Sequence, residues 1–230
     1  MINQSQPVMA ACCICGGNTF VPGPLGRMAA KGTLPPRCSG CGSLERHRIL
    51  RQVYDAIPLD ILSAARALQF ANDPGAPRER FKSFEVSQYD VENSLDMAAI
   101  DRPDNSYDWV IANHVLEHVE DDFAAMRELQ RIVTTDGVIQ LTVPSPSAEL
   151  ETWDLPEPVP TSFGHWRGYG SDFPLHFSTE LKGSFGLQVI ARDEPTQRWD
   201  VIYLFMKSHE VMLKIGNALL ASNLPTLRCT

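Results

Sequence analysis

The stretch Asp108–Pro144, DWVIANHVLEHVEDDFAAMRELQRIVTTDGVIQLTVP, decides the fold. Trp109-Val110-Ile111-Ala112 is a short apolar run whose length and branched residues suit a strand buried on both faces. A polar turn follows at Asn113-His114. Phe123, Met126, Leu129, Ile132 and Val133 then recur at helical spacing, with Glu120, Asp121 and Asp122 near the start and Gly137 just past the end. Val138, Ile139, Leu141 and Val143 form a second apolar strand, stopped by Pro144. The pattern is β-α-β, which predicts a parallel pair of strands with a right-handed crossover.

Extended back to NSYDWV, the same residues resemble the second half of a class I S-adenosylmethionine-dependent methyltransferase domain of the type 11-like kind. There an "FD-apolar-apolar-x-x-x-apolar-x-H" run precedes a helix and a strand opening on glycine. The resemblance implies an α/β fold: a Rossmann-like, seven-stranded, mostly parallel sheet. It also implies that Gly186–Ala191 and Asp200–Lys207, both strand-like, complete that sheet as an antiparallel edge pair.

The chain has 230 residues and 43% hydrophobic content, enough for one medium domain plus a small module. A formal net charge of -8 argues against a broad nucleic-acid-binding face and for small or neutral partners. The opening MINQSQPVMAACC has no basic segment followed by a long apolar run, and no window is apolar enough to span a bilayer. The expectation is a cytoplasmic protein without membrane attachment.

Cys12-x-x-Cys15 and Cys38-x-x-Cys41 form two knuckles separated by a Gly- and Pro-rich spacer. Two such pairs close a tetrahedral thiolate site suited to Zn2+, and four thiolates leave no open position, so the ion is expected to be structural. Disulfides are the alternative, disfavoured by the expected compartment. Gly16 and Gly42 suit the knuckle turns. Ser43 is placed to cap a helix carrying Leu44, Ile49, Leu50 and Val53, with Arg46, His47 and Arg48 read as a solvated face or as contacts to an anion. A zinc ribbon running into CGSLERHR ahead of this domain resembles a bacterial subgroup of the same methyltransferases. The expected division is a ribbon over 1–43, a connecting helix over 44–66, the methyltransferase domain over 67–208 and a helical tail over 209–230.

In this fold the first strand ends in a glycine-rich loop that brings backbone close to the cofactor. Here Ala67–Ala71 is the strand, and Phe70, Ala71, Asn72 and Asp73 stand at the loop, with Gly75 the one glycine of Asn72–Pro77. The subgroup has an "LHFAPE"-like loop there, so the resemblance places Asp73 at an acidic position. It puts Gln88, after the strand Ser83–Ser87, at the ribose, with Glu85 or Asp90 as substitutes in another register. Asp96 and Met97 resemble the residues that meet the adenine. Asn113 and His114 border the methionine part, and His114 is a candidate general base because its unperturbed pKa lies near neutrality. Glu117 reads as solvated or paired nearby, and His118 as structural.

Residues 145–173 are rich in Pro, Gly and aromatics and lack a period, so they read as a substrate lid. Phe163–Phe173 resembles the subgroup's "H-x-R-x-YG-x-DF" run, which offers His165 as a second base and Arg167 and Tyr169 as acceptor ligands, against packing alone. Pro174–Lys182 reads as helical. Val211, Met212, Ile215, Leu219 and Leu220 give the tail an apolar face for the core or for a second copy in a homodimer. The functional expectation is methyl transfer from S-adenosylmethionine to a small-molecule or glycan acceptor, chiefly at oxygen. The rival is a catalytically degenerate zinc-ribbon scaffold.

Overall fold

The computed structural model describes residues 10–31, 33–89, 91–144, 146, 148–158 and 164–230. Asp90 and Phe163, named above, lie outside them. The chain forms β1 (Phe20–Val21), β2 (Arg37–Cys38), α1 (Glu45–Ala56), α2 (Leu59–Ala64), β3 (Arg66–Phe70), β4 (Ser83–Ser87) and β5 (Tyr107–Asn113). It continues with α3 (Asp122–Ile132), β6 (Val133–Thr142), β7 (Trp153–Asp154), β8 (Arg167–Gly168), α4 (Phe173–His176), β9 (Phe185–Arg192), β10 (Trp199–Met206), α5 (His209–Ala221) and β11 (Thr226–Arg228).

The main sheet has seven strands in the order β11-β9-β10-β6-β5-β3-β4. β3 pairs in parallel with β4 and β5, and β5 with β6, whereas β10 runs against both β6 and β9, and β11 against β9. β4, β3, β5, β6 and β9 therefore share one direction, and the fold is the mostly parallel α/β sheet expected. The β9–β10 pair is present but does not form the edge. β11, a run too short to show a period in the sequence, adds outside β9 through Thr226↔Val189, Leu227↔Gln188 and Arg228↔Leu187.

Alternation along the strands supplies two cores. Trp109 and Ile111 of β5, with Ile202 and Leu204 of β10, face Ile49, Leu50 and Val53 of α1 and Met212, Ile215 and Leu219 of α5. Val110, Ala112, Tyr203 and Phe205 face Met126 and Leu129 of α3 together with Tyr169 and Phe173. Both faces are covered, which is why these strands read as unbroken apolar runs. Met212, Ile215 and Leu219 of the tail thus lie on the core of its own chain, whereas Leu220 is exposed. No helix among the described residues is long and apolar enough to cross a membrane.

Local chemistry sets the boundaries. Asp121 caps α3, its Oδ1 accepting from Ala124 N at 2.8 Å. Gly137 does not terminate that helix. It sits inside β6, where a Cβ would stand 2.6 Å from Val133 Cγ2 and 3.0 Å from Asp108 O, beside the register shift between Tyr107 and Trp109. Within Pro174–Lys182, expected to be helical, the helix is limited to α4, which ends at His176, and turns follow to Gly183.

Ser43 is likewise not the cap of α1. Leu44 is, its N–H donating to His47 Nδ1 at 3.1 Å. His47 and Arg48 are buried rather than solvated, because α1 is clamped between the ribbon and the β9–β10 loop. Arg48 makes a bidentate pair with Asp193 (2.7 and 2.8 Å) and donates to Pro36 O at 3.0 Å and Ser43 O at 2.8 Å. Arg27 adds a second clasp to Glu45 at 2.5 and 2.9 Å.

Candidate functional site

β4 lies on one side of β3 and β5 on the other, so the chain changes direction of travel between β3 and β5, the place where open parallel sheets take ligands. In register, Phe70 stands opposite both Ser87 and Ala112, which sets Ala71, Gln88 and Asn113 along one edge. Ala71 (φ 64°) and His114 (φ 53°) both turn off their strands in the left-handed region. Two side-chain-bearing residues in that conformation on adjacent strands hold strain of order 1–3 kcal/mol each at this edge.

Three buried polar atoms near the same edge have no partner: Gln69 Oε1, Asn113 Nδ2 and His114 Nε2. Asn113 Oδ1 accepts from Gln140 Nε2 at 3.3 Å and Thr142 Oγ1 at 3.4 Å, which aims its amide. Orphaned buried groups are costly unless something binds them.

The first loop is braced by side-chain hydrogen bonds. Gln69 Nε2 donates to Ala71 O at 2.6 Å and Asp73 O at 3.1 Å. Asp73, 8% exposed, accepts from Gly75 N at 2.6 Å and lies 3.3 Å from His47 Nε2. Burial pushes its carboxyl up, but the His47 pair and the Gly75 N–H together hold it below its usual value. Its oxygens are thus committed inside the protein rather than offered to a cofactor. Gly75 admits α1 instead of a ligand, since a Cβ there would meet Leu50 Cδ1 at 2.9 Å. Asn72 Oδ1 accepts from Arg78 Nη2 at 2.5 Å.

Phe70 and Met97 are buried in the core on the α3 side, whereas Gln88 and Asp96 are exposed, with Asp96 Oδ1 accepting from Ala98 N at 2.9 Å. Glu85 is no substitute for Gln88, being held by Arg102 Nη2 and Tyr107 OH, each at 2.5 Å.

A cavity of about 760 Å³ opens over the ends of β5 and β6 and the start of β10. His114, Arg46, Ile49, Pro144, Arg198, Trp199 and Asp200 are among its lining. Burial holds the Asp200 carboxyl above its usual range, an effect only partly offset by the Val201 N–H and by the charges of His114 and Arg46. Asp200 escaped the sequence reading because one acid at the mouth of an apolar strand looks like a solvated end.

His165 packs on the turn after β5 and is not among the residues that line the cavity. Trp166 N donates to Glu117 O at 2.8 Å, and this sets the His165 ring edge-on to His118 with centroids 4.7 Å apart. Burial pushes the His165 imidazole below its usual value, against the attraction of Glu117. Glu117 is 1% exposed rather than solvated, its Oε1 lying 3.7 Å from His114 Nδ1.

Arg167 and Tyr169 face inward, not toward an acceptor. Arg167 donates to Val119 O (2.5 Å), Glu120 O (2.7 Å) and Asp154 Oδ1 (2.9 Å), and Tyr169 OH donates to Asp122 Oδ2 at 2.8 Å. They pin the β7–β8 hairpin to the start of α3, so the described part of the expected lid is a fastened flap.

The ribbon cysteines converge. Cys12 and Cys41 sulfurs lie 3.6 Å apart, as do those of Cys15 and Cys38, and all four are within 4.8 Å of one another. Tetrahedral bonds of ~2.3 Å place sulfurs about 3.8 Å apart, so the set can hold an ion. Gly16 (φ 75°) and Gly42 (φ 73°) make the knuckle turns, and Ser43 Oγ lies 3.3 Å from Cys12 Sγ and 3.1 Å from Cys41 Sγ. Cys13 turns away, its thiol on Arg48 O at 3.4 Å.

The comparison with protein families agrees with this sheet. Residues 38–141 match the methyltransferase domain family. No curated protein sequence matches the chain. Among solved structures, a SAM-dependent methyltransferase from Thermotoga maritima, titled a possible histamine N-methyltransferase, is 14% identical with a TM-score of 0.46 over 70% of this chain and 91% of its own. The CcbJ methyltransferase of Streptomyces caelestis is 12% identical, TM-score 0.45, over 72% and 90%. The Burkholderia thailandensis 1,6-didemethyltoxoflavin-N1-methyltransferase, bound to its substrate and S-adenosylhomocysteine, is 11% identical, TM-score 0.42, over 68% and 78%.

Proposed function

We propose that this chain is an S-adenosylmethionine-dependent methyltransferase acting on a hydroxyl of a small molecule or glycan. The observation that carries this reading is the grouping of orphaned polar atoms and two left-handed residues where β3 and β5 diverge, next to a cavity of about 760 Å³. That volume lies within the ~300–1,000 Å³ usual for small-ligand sites.

The donor supplies an electrophilic methyl group on a sulfonium. The backbone of Ala71 and Asn72 and the amide of Asn113 would hold its amino-acid end, with Gln88, Asp96 and the Met97 backbone toward the nucleoside. The acceptor would occupy the cavity beyond His114. Trp199, 59% exposed at its rim, offers an apolar ring face of the kind that packs on a sugar, and Arg46 and Arg198 favour an acceptor carrying negative charge. His114 and Asp200 face the reacting space and can take the hydroxyl proton, Asp200 with the added basicity that burial confers on its carboxylate. Orientation and exclusion of water carry most of the acceleration of such a transfer. A structural Zn2+ in the ribbon belongs to the same proposal.

A cofactor-free scaffold is the second reading, favoured by the first loop, where Gly75 admits Leu50 and Asp73 is committed to His47. Titration calorimetry with S-adenosylhomocysteine separates the two. Saturable binding of one equivalent supports the enzyme, and no heat at millimolar ligand leaves the scaffold.

A further inference from the structure

Glu117, His118 and His165 are drawn together by two separate parts of the chain. Leu116–His118 is a 3-10 turn following β5, and His165 comes from the flap, tied down by the Trp166 N–H on Glu117 O at 2.8 Å. One ligand atom from each of the three lies within 4.8 Å of the others. The carboxylate is 1% exposed, and its Oε2 has no hydrogen-bond partner. A carboxyl group sealed in this way is costly unless a cation or strong donors meet it. The nearby charge-bearing groups are imidazoles, His114 Nδ1 lying 3.7 Å from Oε1, and each imidazole is also a metal ligand.

We infer that Glu117, His118 and His165 form a second metal site, for a divalent first-row transition ion, with His114 beside it. Two imidazoles and one carboxylate on one side of an ion suit Fe2+, Co2+, Ni2+ or Zn2+ and leave coordination positions open. Bonds of ~2.1 Å at angles of about 90–109° put donors on one side of an ion about 3.0–3.4 Å apart, so from spacings of up to 4.8 Å shifts of up to about 1 Å per side chain close the set. This site differs from the four-cysteine ribbon in every ligand. It also differs in openness, since His118 is exposed and His165 half-buried, whereas four thiolates close a shell.

His114 both borders the cluster and lines the cavity, so an ion here stands at the cavity wall. The open positions would take an oxygen of the acceptor, a hydroxyl or a carboxylate. This role rests on the methyl-transfer reading; the site itself does not.

The test is titration of Co2+ into the full chain with its ribbon loaded with zinc, followed by visible absorption and calorimetry in the absence of any methyl donor. One equivalent of Co2+ should bind without a thiolate-to-cobalt charge-transfer band. Glu117→Gln should weaken that binding by about tenfold or more, and so should His165→Ala, whose half-exposed side chain can be removed with little effect on folding. Circular dichroism and melting of both variants confirm that they fold. No uptake beyond exchange into the ribbon, or equal uptake by the parent and His165→Ala, overturns the site. S-adenosylhomocysteine binding, measured on the same sample, reports separately: cobalt uptake without it keeps the site and removes the acceptor role, whereas nucleoside binding without cobalt uptake removes the site and keeps the enzyme.

Discussion

Asp193→Ala should be among the most damaging single changes in this chain. Arg48 and Asp193 have side chains each 1% exposed and share two hydrogen bonds of 2.7 and 2.8 Å. Asp193 Oδ2 also accepts from Thr196 N at 3.1 Å and Thr196 Oγ1 at 2.6 Å. Removing the carboxylate leaves a guanidinium buried against neutral groups: the Pro36 and Ser43 carbonyls, the Ser43 hydroxyl at 3.5 Å and the Phe20 ring, 5.1 Å away. Breaking a buried pair from one side costs about 3–5 kcal/mol. At about 2–4 °C per kcal/mol for a chain of this size, Tm should fall by roughly 6–20 °C. Arg48 binds carbonyls beside Cys38 and Cys41, so the variant should also release zinc to a chelator faster. Replacing both partners, as in Arg48→Met with Asp193→Leu, should recover part of the loss, because no charge is left stranded. The assay is thermal melting followed by far-ultraviolet circular dichroism for the two single variants and the double. A shift under about 2 °C for Asp193→Ala, or a double variant as unstable as the sum of the singles, would refute the reasoning.

Cys38→Ser should lose the one zinc per chain expected in the ribbon together with most soluble protein, as elemental analysis and expression yield report; a stable, metal-free variant would count against a structural ion. Asp122 is buried, which pushes its carboxyl up, yet His176, Tyr169 and Arg167 together hold it below its usual value. Its folded pKa is therefore the lower one. The stabilisation is complete above an unfolded pKa of about 3.9 and is lost as pH falls through the folded value. Asp122→Asn should cost about 2–3 kcal/mol at neutral pH and flatten the denaturant-midpoint curve below about pH 4; a parallel curve would contradict this. Gly137→Ala should cost about 1–3 kcal/mol by overpacking against Val133 and the Asp108 carbonyl, read from urea unfolding.

The longer strands were legible in the sequence: Ser83–Ser87, where Phe84 and Val86 alternate with polar residues, is recovered with the same bounds, and β3, β5, β9 and β10 within a few residues. β11 was not, because three residues carry no period and its pairing is set by where α5 ends. Gly137 looked like a helix stop because a glycine after an amphipathic run has two uses, and the backbone of β5 pressing on it decided between them. His47, Arg48, Arg167 and Tyr169 looked like surface or ligand groups because their partners lie far away in sequence: Asp73, Asp193, the carbonyls of Val119 and Glu120, and Asp122. Glu117 and His118 carried no signal of their own, since only the folded flap brings His165 onto them. The four cysteines were legible because their ligand spacing is local within each knuckle.

The central claim is that a methyl donor sits over the ends of β3 and β5. A crystal structure of the full chain with S-adenosylhomocysteine tests it most directly. The amino-acid end of the ligand should lie against Ala71 and Asn113, with its sulfur directed at the cavity beside His114. Ligand bound elsewhere, or that space filled by protein side chains with none bound, would contradict it.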